Sequence, residues 1–426
     1  MRSCKVLALL IACLVALSVA LSPGVAAAAP GPSEAPEWWF DAWKVPTLWS
    51  SGADGRGITV AVIDSGVEGS IPELQGKVVA GSDYTGNGTD GRTDFDGEAF
   101  SHGTAMASII AASKGYGGIE GIAPGVKILP IAVPLTGVSV RGKPDPNAIT
   151  DAIRYAADHG AKVISMSLGG TRYQGEDDSP CPSMLQDAVI YALRKGSIVV
   201  AASGNSGQNG SPVEQPGVCL GVVSVGAVDP KMNVSSFSSR HPYLTVSAPG
   251  DDIPTLSRVA NQAYIGGGTS QATAMTSAAI AMVWSKFPSE KNSQIVSRII
   301  HSAIDRGPSG RDAQYGYGVI DPNAAVKADS AVSKSTSVFD DVAPLVALAD
   351  ARTADLKTLA PQGKAAAGNP SAPIGVLQVG TVPSVLGLGF YVLLLLTVLL
   401  LIAAVALVII AVRRKPRPPI VQLSPA

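Results

Sequence analysis

Charge is scarce in this chain. Of its 426 residues only 15% are Asp, Glu, Lys or Arg, against about 25% in ordinary soluble domains, while 46% are hydrophobic. A deficit of that size implies that part of the chain does not face water. The few charges also balance, 33 acidic against 32 basic for a formal net charge of -1, so no basic field exists for nucleic acid and electrostatics singles out no partner. Cysteine is rare too, at four residues, and no internal repeat is present, which excludes a repeat architecture.

The apolar excess sits at the two ends. Arg2 and Lys5 precede the run Val6 to Leu21, followed by Pro23 and the small residues Val25-Ala26-Ala27-Ala28-Ala29. A charged start, an apolar centre shorter than the ~20 residues of a membrane span, and an Ala-x-Ala-like end read as a secretory signal peptide, cut near Ala28 or Ala29. Cys4 and Cys13 leave with it. Cys181 and Cys219 then remain in an oxidising compartment, where one disulfide is the simple expectation and two buried thiols the alternative. At the other end Leu386 to Val412 is long enough to cross a bilayer and carries no charge; Arg413, Arg414, Lys415 and Arg417 follow it and place that end in the cytoplasm. Between Ala331 and Pro383 the chain turns to Ala, Pro, Gly, Ser and Thr and reads as a tether, with short helical pieces possible near Leu345 to Leu359.

The body alternates apolar runs with helix-period segments. Ile58–Ile63, Val126–Val133, Lys162–Leu168, Ile198–Ala202 and Gly221–Val225 read as strands buried on both faces, with helical patterns at Ala148–His159 and Ser183–Lys195. Strand and helix in repeated alternation predict an α/β fold, a parallel sheet with helices on both faces. A ligand site is then expected at the carboxyl ends of the strands.

Reactive residue types gather where such a site would lie. Asp64 ends the first run, just before Ser65-Gly66; His102 opens the apolar helix Ala105–Ala112; Ser270 follows Gly266-Gly267-Gly268-Thr269 and precedes the long apolar helix Gln271–Phe287. Singly they read as a turn residue, a helix-start residue and an N-cap. Together they supply what acyl transfer by a serine requires: a nucleophile, a base to accept its proton, and an acid to hold the base in the right tautomer.

The segments Ile58-Thr59-Val60-Ala61-Val62-Ile63-Asp64-Ser65-Gly66-Val67, His102-Gly103-Thr104-Ala105-Met106-Ala107 and Gly268-Thr269-Ser270-Gln271-Ala272-Thr273 resemble the three active-site motifs of subtilisin-like serine proteases, in the same order. The resemblance covers roughly Gly55 to Asn323. It implies a triad of Asp64, His102 and Ser270, and Asn205, within Ala201-Ala202-Ser203-Gly204-Asn205-Ser206-Gly207, as the side-chain donor of the oxyanion hole. It further implies that Ser167, Leu168 and Gly169 pair with an extended substrate backbone and that Ser203 and Gly204 form the facing wall of the specificity pocket. Nothing charged stands in those segments, which leans towards a neutral or small residue before the cut. Cys181 and Cys219 lie in loops following these walls, so their bridge would brace the rim. No cofactor and no metal are implied. The acidic stretch Asp83, Asp90, Asp94, Asp96 and Glu98 fits no specifiable calcium loop and reads as a solvated loop, while His159, His241 and His301 carry no motif.

Two features depart from the common pattern: Ala274 stands where the family usually has proline, and only about 35 residues separate the expected signal cleavage site from Asp64, too few for the usual folded inhibitory propeptide. The aromatic segment Glu37–Pro46 is instead expected to pack on the body. The resulting order is signal peptide (1–29), N-terminal arm (30–54), protease domain (55–330), tether (331–383), transmembrane helix (384–412) and basic cytoplasmic tail (413–426). That order resembles the mycosins, proteases associated with bacterial type VII secretion. The reading is a membrane-anchored extracellular serine endopeptidase acting on exported proteins, its partners being a protein or peptide substrate, the lipid bilayer and a type VII membrane complex. The alternative is a structural component that braces such a complex.

Overall fold

The computed structural model describes residues 37–98, 100–170, 179–327 and 337–350. The expected signal peptide, transmembrane helix and cytoplasmic tail, and most of the tether, lie outside the described residues. Among the described residues no helix is long and apolar enough to cross a membrane.

Two short helices, α1 (Trp38–Trp43) and α2 (Val45–Ser50), lead into β1 (Thr59–Asp64) and the two-residue β2 (Ser82–Asp83). Then come α3 (His102–Ala111), β3 (Lys127–Ala132), α4 (Ala148–Asp158), β4 (Val163–Met166), α5 (Ser183–Arg194), β5 (Ile198–Ala202) and β6 (Val222–Val228). The edge strand β7 (Val246–Pro249), a hairpin of β8 (Ile253–Leu256) and β9 (Ala263–Gly266), the long helix α6 (Thr269–Lys286) and α7 (Asn292–His301) complete the body. Seven strands form one sheet in the order β2-β3-β1-β4-β5-β6-β7, every neighbouring pair parallel. The five apolar runs of the sequence are β1, β3, β4, β5 and β6. The other sheet strands were not legible: β2 is too short for a pattern, and β7 carries Ser247 and ends at Pro249, which an edge strand tolerates.

The strands are apolar throughout because both faces are covered. Side chains alternate across a strand, so Val60 and Val62 of β1 enter one core with α3 and α6, whereas Ala61 and Ile63 enter the other with α4 and α5. Helix α6 is buried at sixteen of its eighteen residues, the pattern of a helix with no solvent face. β1 lies between β3 and β4, so after β3 the chain crosses to the far side of β1 and builds the sheet outward in the opposite direction. At such a reversal the loops leaving the carboxyl ends of β1, β4 and β5 separate and leave a crevice between them.

The aromatic N-terminal segment packs on the body as expected. Trp39 and Trp43 are 1% and 2% exposed, and the indole N–H groups of Trp38 and Trp49 donate to the carbonyls of Asp251 and Ile122 at 3.3 and 2.7 Å. Within the stretch read as a tether, residues 337–350 contain helical turns, and Val338 and Val342 are buried against the body. Cys181 and Cys219 form a disulfide that ties the chain just before α5 to the loop before β6.

Removing an indole from a filled site leaves a cavity its neighbours cannot close. Trp43→Ala is therefore expected to lower unfolding stability by about 3–5 kcal/mol, read from the shift in denaturant midpoint at an unchanged slope.

Candidate active site

Asp64 is the last residue of β1 and is fully buried. Its Oδ1 accepts from the Ser65 N–H at 2.8 Å, and its carboxylate meets His102 Nδ1 at 2.8 Å through Oδ1 and 3.0 Å through Oδ2. The turn after the strand brings the start of α3 close enough for this. Gly66 has φ +101, and a side chain there would stand 2.0 Å from the Thr93 carbonyl oxygen; one on Gly103 would stand 2.0 Å from the Gly66 carbonyl oxygen. Glycine at both positions lets helix and turn touch.

The first N–H groups of a helix have no partner inside it. Here His102 N–H donates to Asp96 Oδ2 at 2.9 Å, Gly103 N–H to Ser65 Oγ at 2.9 Å, and Thr104 N–H and Oγ1 to Asp94 Oδ2 at 2.8 and 2.6 Å. Asp94 and Asp96 thus anchor the helix start that carries the imidazole, with Arg258 Nη1 donating to both their backbone carbonyls. This corrects the solvated-loop reading for Asp94 and Asp96, while Glu98 is exposed and Asp90 pairs with Arg92 at the surface. Asp83 is also engaged, its two carboxylate oxygens accepting from Thr85 and Thr89. Among the described residues no group of three or more His, Cys, Asp or Glu side chains is placed to hold a metal ion.

Electrostatics follows from this packing. Burial alone would pull the His102 imidazole below its ordinary value of 6.5, but the charge and hydrogen bond of Asp64, then the charges of Asp94 and Asp96, outweigh it and the net shift is upward. Burial pushes the Asp94 carboxyl up, against the lowering effect of its hydrogen bonds.

Ser270 is the second residue of α6 and 8% exposed. Its Oγ donates to the Ser167 carbonyl at 3.0 Å, and Ser167 Oγ donates to the Ser270 carbonyl at 2.9 Å. The Ser270 hydroxyl is therefore turned towards β4 rather than hydrogen-bonded to the His102 ring. Further along the same helix Ser277 Oγ donates to Ser165 Oγ at 2.9 Å. Residues 165 and 167 share one face of the strand continuation, and 270 and 277 one face of the helix, so two polar contacts fix the helix against the sheet.

Asn205 Oδ1 accepts from the Thr269 N–H at 2.8 Å and from Thr269 Oγ1 at 2.9 Å. Because that oxygen is occupied, the amide Nδ2 is left as the free donor. A side-chain carbon built on Gly268 would lie 2.7 Å from Gln271 Oε1, 3.5 Å from Asn205 Nδ2 and 3.6 Å from the Ser270 nitrogen, so both donors, together with the Gln271 side-chain oxygen, border the space beside this glycine.

Asp64, His102, Asn205 and Ser270 line one cleft of about 990 Å³. Ser167, Leu168, Gly169 and Gly204 line it too. Ser203 does not: it is fully buried, and its hydroxyl donates to the Ser239 carbonyl, in the loop between β6 and β7, rather than facing the cleft. Neither His159, His241 nor His301 reaches the cleft. The wall segments themselves carry no charge, but Glu214, from outside them, lines the cleft between the two walls. It arrives from a loop whose approach no local motif announces. Its carboxyl is pushed up by burial.

A family-wide pattern described as the Subtilase family (peptidase S8) matches residues 55–318. The chain is similar to the minor extracellular protease Epr of Bacillus subtilis, 34% identical over 306 residues that make up 70% of this chain and 44% of Epr. It spans less than half the length of that relative and of fervidolysin from Fervidobacterium pennivorans. Among solved structures it is similar to the MycP3 protease from the type VII (ESX-3) secretion system, with TM-score 0.60 and 31% identity over 72% of this chain and 90% of the other. It is also similar to MycP1, described as an essential component of the type VII (ESX-1) secretion system, with TM-score 0.58 and 28% identity over 70% and 90% of the two chains.

In an NMR titration the His102 imidazole is expected to show a midpoint above 6.5. Asp96→Asn removes one of the charges that hold it up, so the midpoint should fall in that variant; an unchanged midpoint would contradict the electrostatic account.

Proposed function

The chain belongs to the subtilase family, and on that premise we propose that it hydrolyses peptide bonds as a serine endopeptidase. Ser270 Oγ attacks the peptide carbonyl, His102 takes its proton and returns it to the leaving amine, and Asp64 holds the ring and stabilises the imidazolium. Water then releases the acyl group from Ser270 by the same proton path. Asn205 Nδ2 and the Ser270 N–H stabilise the negative charge that forms on the carbonyl oxygen. The observation that carries this reading is the short His102–Asp64 contact facing the same cleft as Ser270 and both donors. The Ser270 hydroxyl needs only rotation about its Cα–Cβ bond to leave the Ser167 carbonyl, and such catalytic contacts often tighten only when substrate is present.

The wider setting is read from the chain ends and from the similarity to MycP3 and MycP1. The protease domain lies outside the cell, held by the tether and the span 384–412 with the tail 413–426 inside. It acts on exported proteins beside a type VII secretion complex. A second reading, that the chain chiefly braces such a complex, draws on the description of MycP1 as an essential component of its system.

Ser270→Ala is expected to abolish both labelling by a fluorophosphonate probe and cleavage of peptides; cleavage that persisted would reject the assignment. Asn205→Ala should keep the labelling site and lower kcat by about 10²–10³, the usual loss for one oxyanion donor. In cells carrying Ser270→Ala in place of the native chain, export through the type VII system is expected to fail if proteolysis is the role, whereas export that survives the substitution but not deletion of the chain would favour bracing.

A further inference from the structure

Strands β4 and β5 are parallel neighbours, and the chains leaving their carboxyl ends form the two walls of a slot. One wall holds Ser167, whose carbonyl accepts from Ser270 Oγ; the other holds Gly204, next to Asn205. A slot opening beside both groups would receive the side chain of the residue whose carbonyl is attacked.

The end of that slot is occupied by Glu214. A side-chain carbon on Gly169 would stand 2.6 Å from Glu214 Oε2, and one on Gly204 would stand 2.3 Å from Glu214 Oε1. The carboxyl group therefore sits between the walls, and glycine on each side makes room for it. Gly204 also has φ +110, a conformation that disfavours any other residue. Glu214 is held by its backbone: its N–H donates to Tyr243 Oη at 3.2 Å, and the next residue, Gln215, pairs with Gly170 through two hydrogen bonds of 3.1 Å. The residue is 9% exposed and lines the cleft, yet among the described residues its carboxylate has neither a hydrogen-bond donor nor a cation beside it. A cation entering the cleft would meet this carboxylate and pair with it through a charge-assisted hydrogen bond.

Resting on the peptidase reading above, we propose that Glu214 determines specificity, and that the chain cleaves after a basic residue whose ammonium or guanidinium group enters the slot and pairs with the Glu214 carboxylate. The walls contribute apolar and backbone surface that suits the methylene stem of Lys or Arg, and the carboxylate meets the charged end.

The test uses the full chain and fluorogenic peptides that differ only at the residue before the cut, with Lys, Arg, Ala, Leu or Glu there. Lys and Arg are expected to exceed Ala and Leu in kcat/KM by about 10- to 100-fold, the range of a charge-assisted hydrogen bond. Glu214→Gln keeps the shape and removes the charge, so it should erase most of that ratio; Glu214→Lys should turn the preference towards Glu. A chain that reacts with a fluorophosphonate but prefers Ala or Leu, or whose basic preference survives Glu214→Gln, overturns this inference and leaves the peptidase reading intact. A chain that neither reacts with the probe nor cleaves any of the peptides overturns both.

Discussion

The reciprocal hydrogen bonds between Ser167 and Ser270 fix the helix start that carries Ser270 against the chain leaving β4. They join the chain leaving β4 to the start of a helix that has no solvent face, and the Ser165–Ser277 contact holds the same helix two turns further on. A buried helix pinned at two points to a close-packed sheet cannot slide to accommodate a ligand. The backbone N–H of Ser270, the Thr269 groups that orient Asn205, and the space beside Gly268 are therefore fixed before substrate arrives. The freedom left to the proposed nucleophile is rotation of its hydroxyl.

A second constraint is electrostatic. A chain with few charges gathers three carboxylates, Asp64, Asp94 and Asp96, around one imidazole. Two of them act mainly as helix caps: they satisfy N–H groups at the start of α3 and so hold His102 in place, while their charge favours the protonated ring. Burial opposes that protonation and the carboxylates overcome it. The imidazolium that the proposed mechanism forms in its first step is thus stabilised in advance by the groups that fix the geometry. Glu214 contrasts with them, because its backbone is secured while its carboxylate is not.

Legibility in the sequence followed the range of each interaction. The five buried strands could be read because two covered faces demand unbroken apolar runs, and α6 because a helix without a polar face needs small apolar residues along its length. Strand β2 and the edge strand β7 could not, since pairing of a few backbone groups leaves no pattern in side chains. The acidic stretch looked solvated because carboxylates near one another in sequence normally are. Its role depends on the helix start that the turn at Gly66 folds against it.

By itself the sequence determined the fold class and singled out Asp64, His102 and Ser270. A parallel sheet follows from local apolar pattern, and residues as chemically particular as Asp64, His102 and Ser270 stand out beside the glycines that their tight turns require. Only the tertiary structure decided that Ser203 turns away from the cleft towards Ser239, that Ser270 rests against Ser167, that Asp94 and Asp96 hold the histidine, and that Glu214 ends the slot. The direction of a side chain and the neighbours of a charge are set by segments distant along the chain. Their relative placement emerges only when the two cores pack.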